Sequence, residues 1–394
     1  MESIKDRVAI IGMGCTRFGE LWEKGADDLI IEAVHEAYED AGIEQKDIQA
    51  AWMGTTRWEV GSSLAVPLKL NHVPVTRVEN RCATGTDTLR NAAYAVAAGI
   101  YDVVLAVGFE KLKDSGETGL MGMGDESQGI HYIAKTQAGP PGGFALRATR
   151  YFHKYNINPD EGKRTLAKIE VKNHHNGSMN PRAHFQRELT IEQVMGAPIV
   201  AWPLGLYDCC GVSDGAAAAI ICRAEMAKNF RDDPVFIKAI SIDCGPGEDF
   251  GSSDSDLIAF NEAVTAAQRA YDEAGIKNPS EEIGMAQVHD CFSITELITM
   301  EDLGFCPRGR AKEYIDEGHF ELDGKLPVNT DGGLKCFGHP IGASGLRMIY
   351  ENYKQLQGKA DLPARQVKAP KLALAHNLGG ALNAWVVGVS IIGL

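Results

Sequence analysis

Several features that mark other functional classes are missing from this sequence of 394 residues. It has no run of basic residues, and acidic side chains outnumber basic ones, 53 to 39, for a net charge of −14. A surface of that sign repels phosphate backbones, so nucleic acid is not an expected partner. No apolar stretch approaches the roughly 20 residues that cross a bilayer, so no membrane association is expected. Residues 1–7 are polar and charged, and the apolar run 8–11 after them is too short for a secretion signal. The nine cysteines form no C-x-x-C pair; Cys209 and Cys210 are adjacent and the others are scattered. That pattern fits neither a zinc site nor a disulfide framework, which leaves reduced thiols, one of them free to be reactive. The last residues, Ile392-Gly-Leu394, do not match the usual peroxisomal address. A cytoplasmic location is expected.

What is present is ordinary globular composition, 44% hydrophobic and 23% charged, in a chain long enough for two core-forming units. Short apolar runs, most of them rich in Val and Ile, occur at 8–12, 50–54, 103–108, 235–242, 285–289, 372–376 and 385–392. Helical periodicity lies between them. In 29–41 the residues Leu29, Ile30, Ala33, Val34, Ala37, Tyr38 and Ala41 share one face, and Gly42 supplies the stop. Alternation of this kind predicts an α/β fold with helices layered on sheets.

The chain also repeats itself. Ala37-Tyr-Glu-Asp-Ala-Gly-Ile43 returns as Ala270-Tyr-Asp-Glu-Ala-Gly-Ile276. Cys82-Ala-Thr-Gly-Thr-Asp-Thr-Leu-Arg90 aligns with His339-Pro-Ile-Gly-Ala-Ser-Gly-Leu-Arg347, and the run at 103–108 aligns with 372–377. The matches keep the same order, which predicts two similar α/β halves. The first comprises residues 1–112 and 201–232 and the second 233–394. Residues 113–200, which contain Met121-Gly-Met-Gly124, Gly139-Pro-Pro-Gly-Gly143 and a polar stretch with His174, His175 and His184, form an insertion. Insertions of this length commonly cover a site or form an interface.

The candidates for chemistry lie at element ends. Cys82 sits between an extended run, 73–79, and a helical run, 86–98. A thiol at a helix N-terminus is favoured as thiolate by free N–H groups and the dipole. By position alone an inert core cysteine is the commoner outcome. Its repeat partner is His339, however, and packing of the two halves about a pseudo-twofold axis brings thiol and imidazole together, as an activated nucleophile requires. His289 and Cys291 close a strand one residue apart, so both are expected to face one pocket, with Asp290 turned away into a structural hydrogen-bonding role. No further spaced ligands accompany them, so no metal is expected. His376-Asn-Leu-Gly-Gly380 ends another strand, where two glycines allow backbone N–H groups to approach a carbonyl oxygen; a tight turn into the last strand is the structural alternative.

Together these motifs resemble those of thiolases. Asn80-Arg-Cys-Ala-Thr-Gly85 resembles the nucleophile motif, and Gly338-His-Pro-Ile-Gly-Ala-Ser-Gly345 the catalytic histidine motif. His289-Asp-Cys-Phe292 is similar to the motif of the sterol-carrier-protein type, where the other type has Asn-Glu-Ala-Phe. Lys172-Asn-His-His-Asn-Gly177, Ser213-Asp-Gly-Ala-Ala217 and Pro327-Val-Asn-Thr330 extend the resemblance over nearly the whole chain. It implies the thiolase fold: two βαβαβαββ halves in a five-layered αβαβα arrangement with an inserted loop domain, assembled as homodimer or homotetramer.

The resemblance also implies roles. Cys82 carries an acyl group after His339 takes its proton, Cys291 is the second acid/base, and His289 and His339 polarise a thioester oxygen. Backbone amides of Cys82 and of Gly379 or Gly380 form an oxyanion hole. His376 and Asn377 belong to the active-site wall, Asn377 standing where the other type has its second cysteine. Coenzyme A and acyl-CoA are substrates and products, with no permanently bound cofactor. Their phosphates must be met locally, and the insertion offers only scattered Lys168, Lys172, Arg182 and Arg187. The expected reaction is thiolysis of a 3-oxoacyl-CoA or the reverse Claisen condensation, including on a branched or aromatic substrate such as a benzoylsuccinyl-type ester. The alternatives are a decarboxylating 3-oxoacyl synthase, against which Cys291 argues, and a subunit acting only with a small protein of zinc-ribbon and oligonucleotide-binding-type barrel, as retro-aldolase or scaffold.

Overall fold

The computed structural model describes residues 3–57, 59–115, 139–246, 255–381 and 384–394. Met121-Gly-Met-Gly124 lies outside these, as do Leu382 and Asn383. The strands are β1 (Val8–Cys15), β2 (Ala50–Gly54), β3 (Val75–Val78), β4 (Val103–Glu110), β5 (Ile199–Ala201), β6 (Leu204–Gly205), β7 (Gly215–Arg223), β8 (Val235–Cys244), β9 (Met285–Val288), β10 (Leu372–Ala381) and β11 (Ala384–Gly393). The helices that matter for the site are α1 (Ala26–Ala41), α2 (Thr84–Ala97), α3 (Pro140–Lys154), α4 (Pro159–Ser178), α5 (Asn261–Ala274), α6 (Ser293–Asp302), α7 (Gly333–Phe337) and α8 (Ile341–Leu356).

Nine strands run in the order β3-β2-β4-β7-β1-β8-β11-β10-β9. The first five and the last four make two similar half-sheets. In each, parallel pairs (β2 with β3 and β4; β9 with β10) give way to antiparallel ones (β4 with β7; β10 with β11). The halves join through a short antiparallel contact, Ala9 opposite Phe236 and Ile10 opposite Val235. In the second half the place of β3 is taken by a single parallel bridge, Ala286 to Val328.

Helix placement produces the layers. The apolar face of α1, Leu29, Ile30, Ala33, Val34, Ala37 and Ala41, is buried against β1 and β7. Helix α5, its counterpart in the repeat, covers β8 and β11. Between the half-sheets α2 and α8 pack on one another, each touching strands of both halves. They cross at Gly85 and Gly345, where a Cβ on Gly85 would stand 2.8 Å from the Gly345 nitrogen. Any larger side chain there would push the helices apart, so the crossing fixes how near their N-termini come.

Two sequence expectations need correction. Strand β7 is an alanine-rich run that was read only as part of a motif; alanine carries no strand signal, and its place between β1 and β4, buried nearly throughout, decides the conformation. The glycines of 376–380 do not end a strand either. Strand β10 continues to Ala381, with Gly379 opposite Val386 and Gly380 opposite Trp385.

Candidate active site

Both central helices open at the same place. Cys82 precedes α2 in a turn begun by Arg81 at φ 51°, and His339 precedes α8 in the turn Gly338-His-Pro340. Strand β9 ends at Val288, so His289 and Cys291 lie in the following loop, and the loop's turn rather than strand alternation sets their directions. The Cys82 sulfur and one ring nitrogen from each of His289 and His339 all lie within 4.8 Å of one another. The imidazoles meet edge to face, centroids 5.0 Å apart at 84°. Thiol, base and second histidine, far apart in sequence, are thus brought together.

Hydrogen bonds set the two imidazoles in opposite tautomers. Ser344 Oγ donates its one proton to Pro340 O at 3.0 Å and therefore accepts from His339 Nδ1 at 2.7 Å. Nδ1 carries the proton, and His339 Nε2, buried and without a partner, presents a lone pair. At His289 the polarity is reversed. Thr86 Oγ1 donates to Asn377 Oδ1 at 3.2 Å, which leaves Asn377 Nδ2 to donate to His289 Nδ1 at 3.3 Å. The His289 proton is then on Nε2. One histidine is prepared to take a proton and the other to offer a hydrogen bond.

Burial fixes the charge states. It holds His339 down to about 3, helped by the Arg347 guanidinium, and pushes His289 well below its usual range, helped by His339. Both imidazoles are neutral. Cys82 departs from expectation. Desolvation drives its thiol up to about 12, outweighing Arg81 and the sulfur's contact with its own backbone N–H. The N-terminal position does not make a resting thiolate, so the proton has to be removed by His339. Cys291 is buried, its sulfur 3.7 Å from Thr295 Oγ1, and burial raises its thiol well above the usual range. It is a thiol acid, not a thiolate.

The backbone completes the cavity. A Cβ on Gly379 would lie 2.8 Å from the Cys82 nitrogen and 2.5 Å from that of Ala83, so only glycine lets β10 come against the nucleophile's amide. Gly380 has φ 112°, open to glycine alone. His376 is buried and accepts the His289 backbone N–H at Nδ1 at 3.5 Å; it positions the loop. Asp290, as expected, turns away. Its carboxylate accepts from Leu334 N at 2.7 Å, Lys335 N at 3.1 Å and Asn173 Nδ2 at 3.0 Å, tying the His289 loop to α7 and α4.

Sequence reading missed Cys210. Its N–H donates to Cys291 O at 3.0 Å, and the next carbonyl, of Gly211, accepts from His339 N at 2.9 Å. The Cys209–Gly211 segment thus pins both catalytic loops, and no spacing signal announces it. The basic residues considered for phosphate binding are mostly engaged. Lys172 pairs with Glu296 at 2.9 Å in the interior, Arg182 with Glu36 at 2.9 Å and Lys168 with Asp316 at 2.6 Å. Arg187 reaches the Tyr207 hydroxyl at 2.7 Å. The sequence offered no ligand set for a metal, yet among the described residues Cys82, His289 and His339 form a cluster of three donors drawn from separate loops.

Comparison with known proteins places this geometry. The family description "Thiolase, N-terminal domain" matches residues 8–225, and "Thiolase C-terminal domain-like" matches residues 249–391. An acetyl-CoA acetyltransferase of Methanothermobacter thermautotrophicus is 38% identical over 95% of this chain and 96% of its own length. The benzoylsuccinyl-CoA thiolase subunit BbsB of Thauera aromatica is 31% identical, covering 97% of each chain. A solved structure titled as the Ltp2-ChsH2(DUF35) aldolase superposes with TM-score 0.86 at 27% identity, covering 99% of this chain and 98% of that one.

Proposed function

Because this chain belongs to the thiolase family, and is an acyltransferase on that ground, we propose that it cleaves a 3-oxoacyl-CoA with CoA, or runs the reverse condensation, through an acyl-Cys82 thioester. The observation that carries the proposal is the convergence of one thiol and two neutral imidazoles of opposite tautomer within 4.8 Å.

The steps follow from the protons. His339 Nε2 takes the Cys82 proton, and the sulfur attacks the 3-oxo carbon. The oxygen becomes an oxyanion between the amides of Cys82 and Gly379 or Gly380, a contribution of about 3 kcal/mol per donor. The bond between C2 and C3 breaks. The electron pair passes into the thioester carbonyl of the departing acyl-CoA, whose oxygen receives hydrogen bonds from His289 Nε2–H and the newly protonated His339. Cys291 supplies a proton to C2 and recovers one from the CoA thiol, whose sulfur then attacks acyl-Cys82 and regenerates the enzyme.

Substrate size is tested with 3-oxoacyl-CoAs of graded length, branching and aromaticity. Thiolysis by the wild type, with Cys291→Ala still acylating Cys82 but forming and breaking no C–C bond, is the expected result. Release of CO₂ from a malonyl-type donor, or turnover undiminished in Cys291→Ala, contradicts it. A second reading, activity only with a partner protein, draws on two relatives: one is named as a thiolase subunit, the other titled as a two-component aldolase. Activity of the purified chain alone decides against it.

A further inference from the structure

We propose that the same three side chains form a reversible site for a soft divalent cation, Zn²⁺ above all, which silences the enzyme by occupying its nucleophile. Cys82 Sγ and one ring nitrogen each of His289 and His339 lie within 4.8 Å of one another. In tetrahedral zinc, with Zn–S about 2.3 Å and Zn–N about 2.0 Å, ligand atoms stand roughly 3.3–3.6 Å apart. Closing that gap takes movements of about 1 Å, within reach of side-chain rotation. One thiolate and two imidazoles are a donor set zinc favours, and the fourth position stays open to water or a thioester oxygen.

The hydrogen bonds bear on this site differently from the way they bear on acyl transfer. His339 offers its Nε2 lone pair at once, since Nδ1–H is already held by Ser344. A carbonyl, carboxylate or hydroxyl behind Nδ1 is the usual support of a metal-bound imidazole. His289 does not comply. Asn377 Nδ2 donates to its Nδ1, so its Nε2 bears the proton. To ligate, His289 must move that proton to Nδ1 while Asn377 turns its amide to present oxygen, against the bond from Thr86. The Thr86–Asn377 pair therefore keeps His289 as a hydrogen-bond donor to substrate and weakens it as a metal ligand.

On binding, the Cys82 S–H proton leaves to solvent as the Zn–S bond forms, and nothing is oxidised or reduced. Binding depends on the three ligands and the hydrogen bonds behind them, not on the acyl-transfer reading; that binding inhibits rests on that reading as well. Binding is therefore measured directly, by equilibrium dialysis of the full chain against Zn²⁺ and by the thiolate-to-cobalt absorption band with Co²⁺, separately from turnover.

One equivalent of metal is expected, removed by a chelator, absent in Cys82→Ser and blocked by prior acylation or alkylation of Cys82. Asn377→Asp, whose carboxylate accepts from Nδ1–H, is expected to bind metal about tenfold more tightly while losing turnover. Thr86→Val, which frees the amide to turn, gains affinity in the same direction and serves should Asn377→Asp fold poorly. Stoichiometric metal retained in Cys82→Ser, a cobalt adduct with no thiolate band, or affinity unmoved in both Asn377→Asp and Thr86→Val overturns the site. Metal bound as described without loss of thiolysis overturns the inhibition, and with it the reading of Cys82 as acyl carrier, while the binding site itself stands.

Discussion

The two halves place the same device, a turn feeding a helix N-terminus, against each other and fill it with opposite chemistry. In the first half the turn carries Cys82, which keeps partial exposure, and α2 carries Arg90, 27% exposed and paired with Asp87 at 2.7 Å. In the second half the turn carries His339, buried, and the position matching Arg90 is Arg347, paired with Asp331 at 1% exposure each. The first half stays partly open to solvent. The second is sealed, and sealing is what holds its histidine neutral. A nucleophile needs access and a base needs a controlled proton, so a repeat with two environments supplies both where two equal sites would supply neither.

Altering each side of that comparison gives graded effects. The largest is Cys82→Ser, which should cut thiolysis by at least roughly 10⁴-fold in steady-state assays, the scale of losing a covalent nucleophile, while the folded spectrum is unchanged. Arg347→Met comes next. It leaves Asp331 buried without its partner and should cost about 3–5 kcal/mol in urea unfolding. Ser344→Ala removes the acceptor that keeps the His339 proton on Nδ1. It should lower kcat about tenfold, with the rate of Cys82 alkylation falling alongside it.

A pH effect follows in size. Burial holds His339 and His376 at about 3, against about 6.5 unfolded. Their folded values are depressed, so the stability from keeping them neutral is complete above 6.5 and is lost as pH falls toward 3. Denaturation midpoints should drop between pH 7 and 5, and His376→Gln should flatten the slope. The smallest effect is Arg90→Met, the matched change in the open half, at about 0–1 kcal/mol. A loss equal to that of Arg347→Met would remove the contrast between the halves.

Much of this was legible in the sequence, for identifiable reasons. Cys82 and His339 were found as a pair because the repeat preserves the turn, Leu89/Leu346 and Arg90/Arg347, and Leu89 and Leu346 are buried packing positions that a duplicated core must keep. The α1 face was legible from its period. Strand β7 was not, since the alanines at 216–219 leave conformation to the neighbours. The tautomers were not legible either. They depend on Ser344 of α8, Asn377 of β10 and Thr86 of α2, whose roles exist only once two helices and a strand meet, and whose residue types carry no such signal by themselves. Cys82 itself was misjudged in charge. The helix end argued for a lowered thiol, but burial pushes it up to about 12, so the resting group is a thiol awaiting its base.

The central claim is that Cys82, among nine cysteines, carries the acyl group. The direct measurement is incubation of the full chain with a short acyl-CoA, an acid quench and peptide mass mapping. One acyl adduct is expected, on the peptide containing Cys82, discharged by added CoA. An adduct on Cys291 or Cys210 instead, or turnover with no adduct on Cys82, would contradict it.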